Sequence, residues 1–157
     1  MSIGLVDTSV FCEIVPVPGR SQQREAILAD LKHHVQNEVT LLLPVATILE
    51  TGNHIAHIPD GGQRRSAAER FVRRVQEALG NVEGPPPWTV PQPLLAPEDL
   101  QRYLNQFPDY AMQEIGLGDL SIIEEYERQC RLHQMRRVFI WSLDHHLLAY
   151  DRPAREF

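Results

Sequence analysis

The sequence predicts an α/β layer fold with a mainly parallel sheet. Short apolar runs rich in Val, Ile and Leu recur at 2–7, 38–47 and 136–144, separated by stretches of helical period. The central run, "EVTLLLPVAT", is apolar almost throughout instead of alternating, as strands covered on both faces are. In such a fold ligands bind outside the carboxyl ends of the strands.

The elements follow in order. Residues 2–7 read as a buried strand that ends on a carboxylate, Asp7. A buried carboxylate without a partner is costly, so something must offset it. "VPVPGRS" at 15–21 is a connection, because Pro16 and Pro18 cannot sit in a helix interior. A helix over 21–36 turns Ala26, Ile27, Leu31 and Val35 to one side. The second strand, 38–47, leads into a helix over 47–58, and "PDGG" at 59–62 breaks the chain. A strongly amphipathic helix over 63–79 carries the stripe Ala68, Phe71, Val72, Val75 and Leu79. Residues 80–97 hold half of the 12 prolines and read as a loop, with a short strand at 88–90. A helix over 98–107 uses Leu100, Leu104 and Phe107 and stops before Pro108. Another over 119–134 turns Ile122, Ile123, Tyr126 and Cys130 inward. The third strand, 136–144, precedes a short helix over 145–150. Acidic positions of interest lie on both sides of the proline-rich loop, so 1–157 is expected to form a single domain.

Composition bounds the function. The chain has 157 residues, 43% of them hydrophobic and 23% charged, which suits a globular domain with a real core. Two cysteines, Cys12 and Cys130, give no disulfide framework and read as core residues. No segment approaches membrane-spanning length and none has a signal-peptide core, so a soluble cytoplasmic protein without membrane partners is expected. A net charge of −6 argues against a generic nucleic-acid coat but permits one local basic face.

Four short pieces, "VDTSV", "TILETGN", "GLGDLSI" and "WSLDHH", each place an acid at an element end: Asp7, Glu50, Asp119 and Asp144. Each has a plain structural explanation. Asp7 suits an Asx turn, Thr47 and Glu50 form a capping-box pattern, and Asp119, Ser142 or Asp144 suits an N-cap. Caps do not explain why several acids share one sheet edge. Carboxylates gathered there raise one another's pKa, and a hard divalent cation relieves the repulsion. Carboxylate-held Mg²⁺ or Mn²⁺ is the usual apparatus for phosphodiester hydrolysis.

The order and context of these pieces resemble the PIN domain, the nuclease fold of VapC-type toxins. "IGLVDTSVF" is similar to that family's opening strand, with its acid at Asp7 and hydroxyls at Thr8 and Ser9. "VATILETGNHI" resembles the second motif at Glu50, "GLGDLSIIEE" the helix-opening acid at Asp119, and "FIWSLDHHL" the late strand with Ser142 and Asp144. The resemblance spans nearly the whole chain. It implies a three-layer α/β/α sandwich with a central parallel sheet. It also implies a Mg²⁺- or Mn²⁺-dependent endoribonuclease, often the toxin of a toxin–antitoxin pair and often a homodimer. Asp7, Glu50, Asp119 and Asp144 would be catalytic and metal-holding, with Ser9 and Ser142 orienting them. The alternative is a non-catalytic PIN-like module that binds RNA or a protein.

Other features carry less. Arg64, Arg65, Arg70, Arg73 and Arg74 make a net basic face on the helix over 63–79, either a solvated side or an RNA-backbone contact. Arg128, Arg131, Arg136 and Arg137 form a weaker second patch. Glu50, His54 and His57 share one helical face at a spacing that can build a zinc site, but no third nitrogen or thiolate ligand is evident. His145 and His146 are either substrate contacts or ordinary first-turn residues. Trp88 either packs over the loop or stacks a base. A haloacid-dehalogenase-like phosphatase needs a second Asp where Ser9 stands. The phosphate-cradling GxxxxGK[ST] and the serine-hydrolase GxSxG patterns are absent.

Overall fold

The computed structural model describes residues 1–81, 83–92 and 96–155. Among the described residues five strands form one sheet in the order β3-β2-β1-β4-β5: β1 Ile3–Val6, β2 Thr40–Leu42, β3 Trp88–Thr89, β4 Val138–Trp141 and β5 Asp151–Arg152. All neighbouring pairs are parallel except β4 with β5. Among the described residues seven helices accompany the sheet: α1 Thr8–Ile14, α2 Arg24–Gln36, α3 Val45–Ala56, α4 Gly61–Ala78, α5 Pro97–Ala111, α6 Leu117–Leu132 and α7 His145–Leu148. The chain is therefore α/β with a mostly parallel sheet, as its apolar runs predict. Among the described residues no helix is long and apolar enough to cross a membrane.

The strand period of two divides the core. Ile3, Leu5, Leu42, Val138 and Ile140 pack with Ile122, Ile123 and Tyr126 of α6 and Leu147 of α7. Val6, Leu41, Trp88, Phe139 and Trp141 pack with Val10, Phe11 and Ile14 of α1, Ile27 of α2, Ile55 of α3 and Ala67 of α4. Both faces of the sheet are thus covered, which is why the strands read as continuous apolar runs. Each fully buried large side chain contributes about 1.5–3 kcal/mol.

The connections place a crevice. After β1 the chain enters α1, whose apolar residues join the second of these clusters. After β4 it enters α7, whose Leu147 joins the first. The two adjacent strands send the chain to opposite faces, so a gap opens at their carboxyl ends. Asp7 follows β1 and Asp144 closely follows β4.

Several expectations are corrected. The chain does not wait until 21 for a helix: α1 begins directly after Asp7, which caps it. Seven residues, three of them β-branched, followed closely by Pro16 and Pro18, give α1 little intrinsic propensity. It is held by burial, since Val10, Phe11 and Ile14 are all in the core. On α2, Ile27 is buried and Leu31 packs at the core edge, while Ala26 and Val35 face solvent. Strand β2 is only three residues long, because Pro44 has no amide to continue a ladder and caps α3. The "PDGG" break is a helix start, with Asp60 accepting from the Gln63 amide at 2.7 Å. The inward stripe of α4 runs through Ala67, Ala68, Phe71, Val75 and Ala78, leaving Val72 and Leu79 exposed. Helix α5 continues through Pro108. It meets α6 by polar contacts, Arg102 and Gln106 donating to Glu124, with Tyr103 buried, so Leu100 and Leu104 remain exposed. The antiparallel β5 is not foreseen by the sequence pattern. Of the loop expected over 80–97, residues 82 and 93–95 lie outside the described residues.

Candidate active site

Asp7 is only 3% exposed, and its cost is offset by three donors. The Ser9 hydroxyl at 2.7 Å, the Ser142 hydroxyl at 2.8 Å and the Ser9 amide at 3.3 Å all donate to Oδ2. Oδ1 receives no hydrogen bond among the described residues. Ser9 and Ser142 are themselves fixed: the Leu143 amide donates to Ser9 Oγ and the Asp144 amide to Ser142 Oγ, both at 2.9 Å. The ends of β1 and β4 are thereby stitched together around one carboxylate.

Glu50 reaches the same place from α3. The expected capping box does not form. Pro44 is the N-cap, and Thr47 lies in the first turn, fully buried, donating to the Val6 carbonyl at 2.8 Å. That bond ties α3 to the end of β1. Glu50, one turn on, accepts from the Thr8 hydroxyl at 2.7 Å through Oε2. Its other oxygen lies against Gly118, where an added Cβ would collide with Oε1 and meet Cδ at 2.9 Å. Gly118 is therefore required by close approach to Glu50.

Asp119 is not a cap either. Gly116 is the N-cap of α6, and Asp119 is the third helical residue. Its carboxyl is raised to about 6, first by burial and then by the charges of Asp7, Glu50 and Asp144. Asp144 does act as a cap: its Oδ1 accepts from the His146 amide at 2.9 Å. His145 and His146 are exposed residues of that short helix.

All four acids line one open cleft of 610 Å³, with Thr8, Ser9, Cys12, Glu13, Arg20, Asn53 and His54 also on its wall. A more apolar groove of 440 Å³, bordered by Leu49, Leu100 and Leu117, lies beyond Glu50 and Gly118. Among the described residues no three His, Cys, Asp or Glu side chains converge tightly enough to bind one ion directly. Of the spaced trio Glu50, His54 and His57, only the first two line the cleft, and His57 Nδ1 is within 2.7 Å of the Asn53 carbonyl oxygen.

Sequence reasoning missed Glu13, Arg20, Asn53 and Gly118. Glu13 is 3% exposed and lies one turn after Ser9 on α1, a relation invisible without that helix. Asn53 lies three residues after Glu50 on α3, and that spacing was a usable signal. Cys12 and Cys130 are buried free cysteines, as their composition suggests. Burial pushes the Cys12 thiol up to about 11, so it is inert as a nucleophile.

The arginines of α4 are largely committed. Arg64 donates to the Ile58 carbonyl, Arg65 pairs with Glu69 and Arg74 with Glu77. Arg70 donates to the carbonyls of Val15 and Pro16. Arg73 is exposed and makes no side-chain bond among the described residues. In the second patch, Arg128 pairs with Glu125 and Arg137 with Asp151. Trp88 is a core residue, edge-on to Phe11 and donating to the Arg74 carbonyl at 3.0 Å, so it is not available to stack a base.

No protein-family model, no curated protein and no solved structure matches this chain.

Proposed function

We propose that this chain is a metal-dependent endoribonuclease of the PIN type, one domain with the three-layer sandwich of that family. The observation that carries the reading is the meeting of Asp7, Glu50, Asp119 and Asp144, from four separate segments, in one cleft where three of them raise the pKa of the fourth. Capping accounts for Asp7 and Asp144 but gives Glu50 and Asp119 no reason to face them.

The donor set fits a hard cation. Every candidate ligand atom is an oxygen, and Asp7 Oδ1 and the Asp119 carboxyl have no hydrogen-bond donor among the described residues. Mg²⁺ characteristically keeps several waters and takes few direct carboxylates, so side chains that do not converge on one point still suit it or Mn²⁺. Such an ion, when bound, supplies an acidified water and charge stabilisation at the phosphoryl oxygen. The chain's own residues fix the acids. Ser9 and Ser142 hold Asp7 by one oxygen and leave the other without a donor among the described residues, and Thr8 holds Glu50 by Oε2 while Oε1 lies against Gly118. Of the α4 arginines, the exposed Arg73 offers a sequence-independent RNA-backbone contact as it stands, Arg64, Arg65 and Arg74 would do so by exchanging their present partners, and Arg70 fastens α4 to the segment after α1. An antitoxin and a second copy of the chain, which the family resemblance implies as partners, belong to the same proposal.

The competing reading is a non-catalytic RNA- or protein-binding module, favoured by the capping duties of Asp7 and Asp144. Purified protein incubated with varied single-stranded RNAs separates the two. Cleavage that requires Mg²⁺ or Mn²⁺, stops with chelator and is lost in Asp7→Asn supports the nuclease. Chelator-resistant cleavage, or cleavage retained in Asp7→Asn, refutes it.

A further inference from the structure

The segment between α1 and α2 looks in sequence like a loose proline-rich connector, yet it is fastened at both ends. Arg70 reaches from α4 to the carbonyls of Val15 and Pro16 at 3.1 and 3.2 Å. Arg24 donates to the carbonyls of Glu13 and Ile14, both at 2.6 Å. The buried Glu13 carboxylate accepts from the Gln23 amide through both oxygens, each at 3.2 Å. Val15 and Val17 are buried. Between these ties the backbone turns at Gly19, whose φ of +82° suits glycine, and the Arg20 amide closes onto the Val17 carbonyl at 2.9 Å.

The residue this turn presents is Arg20. It lines the acid cleft, and among the described residues it is the only Lys or Arg that does. Its guanidinium makes no ion pair or hydrogen bond among the described residues, unlike Arg24, Arg70 and Arg74 nearby. Five carboxylates share its cleft, yet it neutralises none of them. Its charge nevertheless reaches His54 in the same cleft, where it adds to burial in lowering that imidazole's pKa. A held loop that presents an uncommitted planar cation beside a carboxylate cluster is built for an anion that enters the cleft. A phosphate group fits the bidentate fork of an arginine.

We propose that Arg20 is the substrate-phosphate contact of this cleft, binding a backbone phosphate of single-stranded RNA next to the four acids, with Glu13, Arg24 and Arg70 as the residues that position its loop. This deepens the nuclease reading and rests on it for the identity of the anion.

The test separates binding from cleavage. A fluorescent single-stranded RNA of about 12 nucleotides is titrated into parent, Arg20→Gln, Arg20→Lys and Lys32→Gln in chelator, across a range of salt. Lys32 is an exposed residue of α2 outside the cleft and serves as the control. Arg20→Gln is expected to lower the slope of log affinity against log salt by about 0.7, the value for one phosphate on a single strand. Arg20→Lys should keep the slope, and Lys32→Gln should match the parent. With Mn²⁺ added, Arg20→Gln should lose about 10- to 100-fold in kcat/KM, and Arg20→Lys should fall between it and the parent. A parent that cleaves, together with an Arg20→Gln variant unchanged in slope and in turnover, overturns the proposal and leaves the nuclease standing. A parent that never cleaves, with the slope still lowered in Arg20→Gln, upholds the phosphate contact and overturns the nuclease instead.

Discussion

Replacing Asp119 with Asn is expected to stabilise the metal-free protein at pH 7. The folded carboxyl titrates near 6, whereas an unfolded Asp titrates near about 3.9. The folded state therefore holds a proton that the unfolded state has released between those values. The native state gains stability as pH falls from 7 toward 4 and loses it as pH rises. Two units at about 1.36 kcal/mol each would amount to roughly 3 kcal/mol. The side chain is half-buried and solvent screens it, which leaves about 1–1.5 kcal/mol. Asn carries no charge at any of these pH values, so the variant should melt about 2–6 °C higher than the parent at pH 7. The gap should close below about pH 4, where the parent carboxyl is protonated in both states. Mg²⁺ or Mn²⁺ should reverse the order: at a hundredfold excess over its dissociation constant the ion contributes about 2.7 kcal/mol to the parent, and clearly less to the variant. Thermal melts of both proteins from pH 4 to 8, with chelator and across a metal titration, read all of this. Equal melting temperatures at pH 7 and identical metal shifts would show that Asp119 feels no carboxylate cluster.

Gly118→Ala should leave stability within about 1 kcal/mol, because Ala favours the helix and only the flexible end of Glu50 must move. It should nevertheless displace Glu50 from Thr8 and remove most RNA cleavage, as assayed on one preparation for both properties. Thr47→Val deprives the buried Val6 carbonyl of its donor and should cost about 1–3 kcal/mol in chemical unfolding. Arg65→Gln with Arg73→Gln should flatten the salt dependence of RNA binding by up to about 0.7 for each phosphate left without its cation, with the melting temperature unchanged. Arg70→Gln should instead lower the melting temperature, because it releases the carbonyls of buried Val15 and half-buried Pro16; a change confined to the salt slope would return Arg70 to the RNA face.

The sheet and its acids were legible because both write strong local signals. Apolar runs mark β1, β2 and β4, and Asp7 and Asp144 stand just beyond strand ends. What the sequence hid was whatever depends on tertiary burial. Helix α1 has poor propensity and forms because Phe11 and its neighbours are buried, and without it Cys12 and Glu13 had no face. The leucines of α5 read as core because they follow helical period, but that helix meets α6 through Arg102, Gln106 and Glu124, so Leu100 and Leu104 lie outside. Arg70 looked like a surface cation, and nothing local announces that its guanidinium serves carbonyls 54 and 55 positions away. Arg20 carries no local signal, because a proline-rich connector gives no periodicity to place it.

The bond from Ser142 to Asp7 joins residues 135 positions apart. β1 is synthesised well before its partner β4, so the central strand has one edge open until β4 is made. Loop closure over that distance is slow relative to local helix formation. The carboxylate at its end has only Ser9 for company until β4 arrives. A nascent or truncated chain lacking 138–144 therefore lacks the bond that steadies Asp7, and with it the cleft. The acid cleft is therefore completed only when β4 joins the sheet, so its assembly is tied to the last long-range step of the fold.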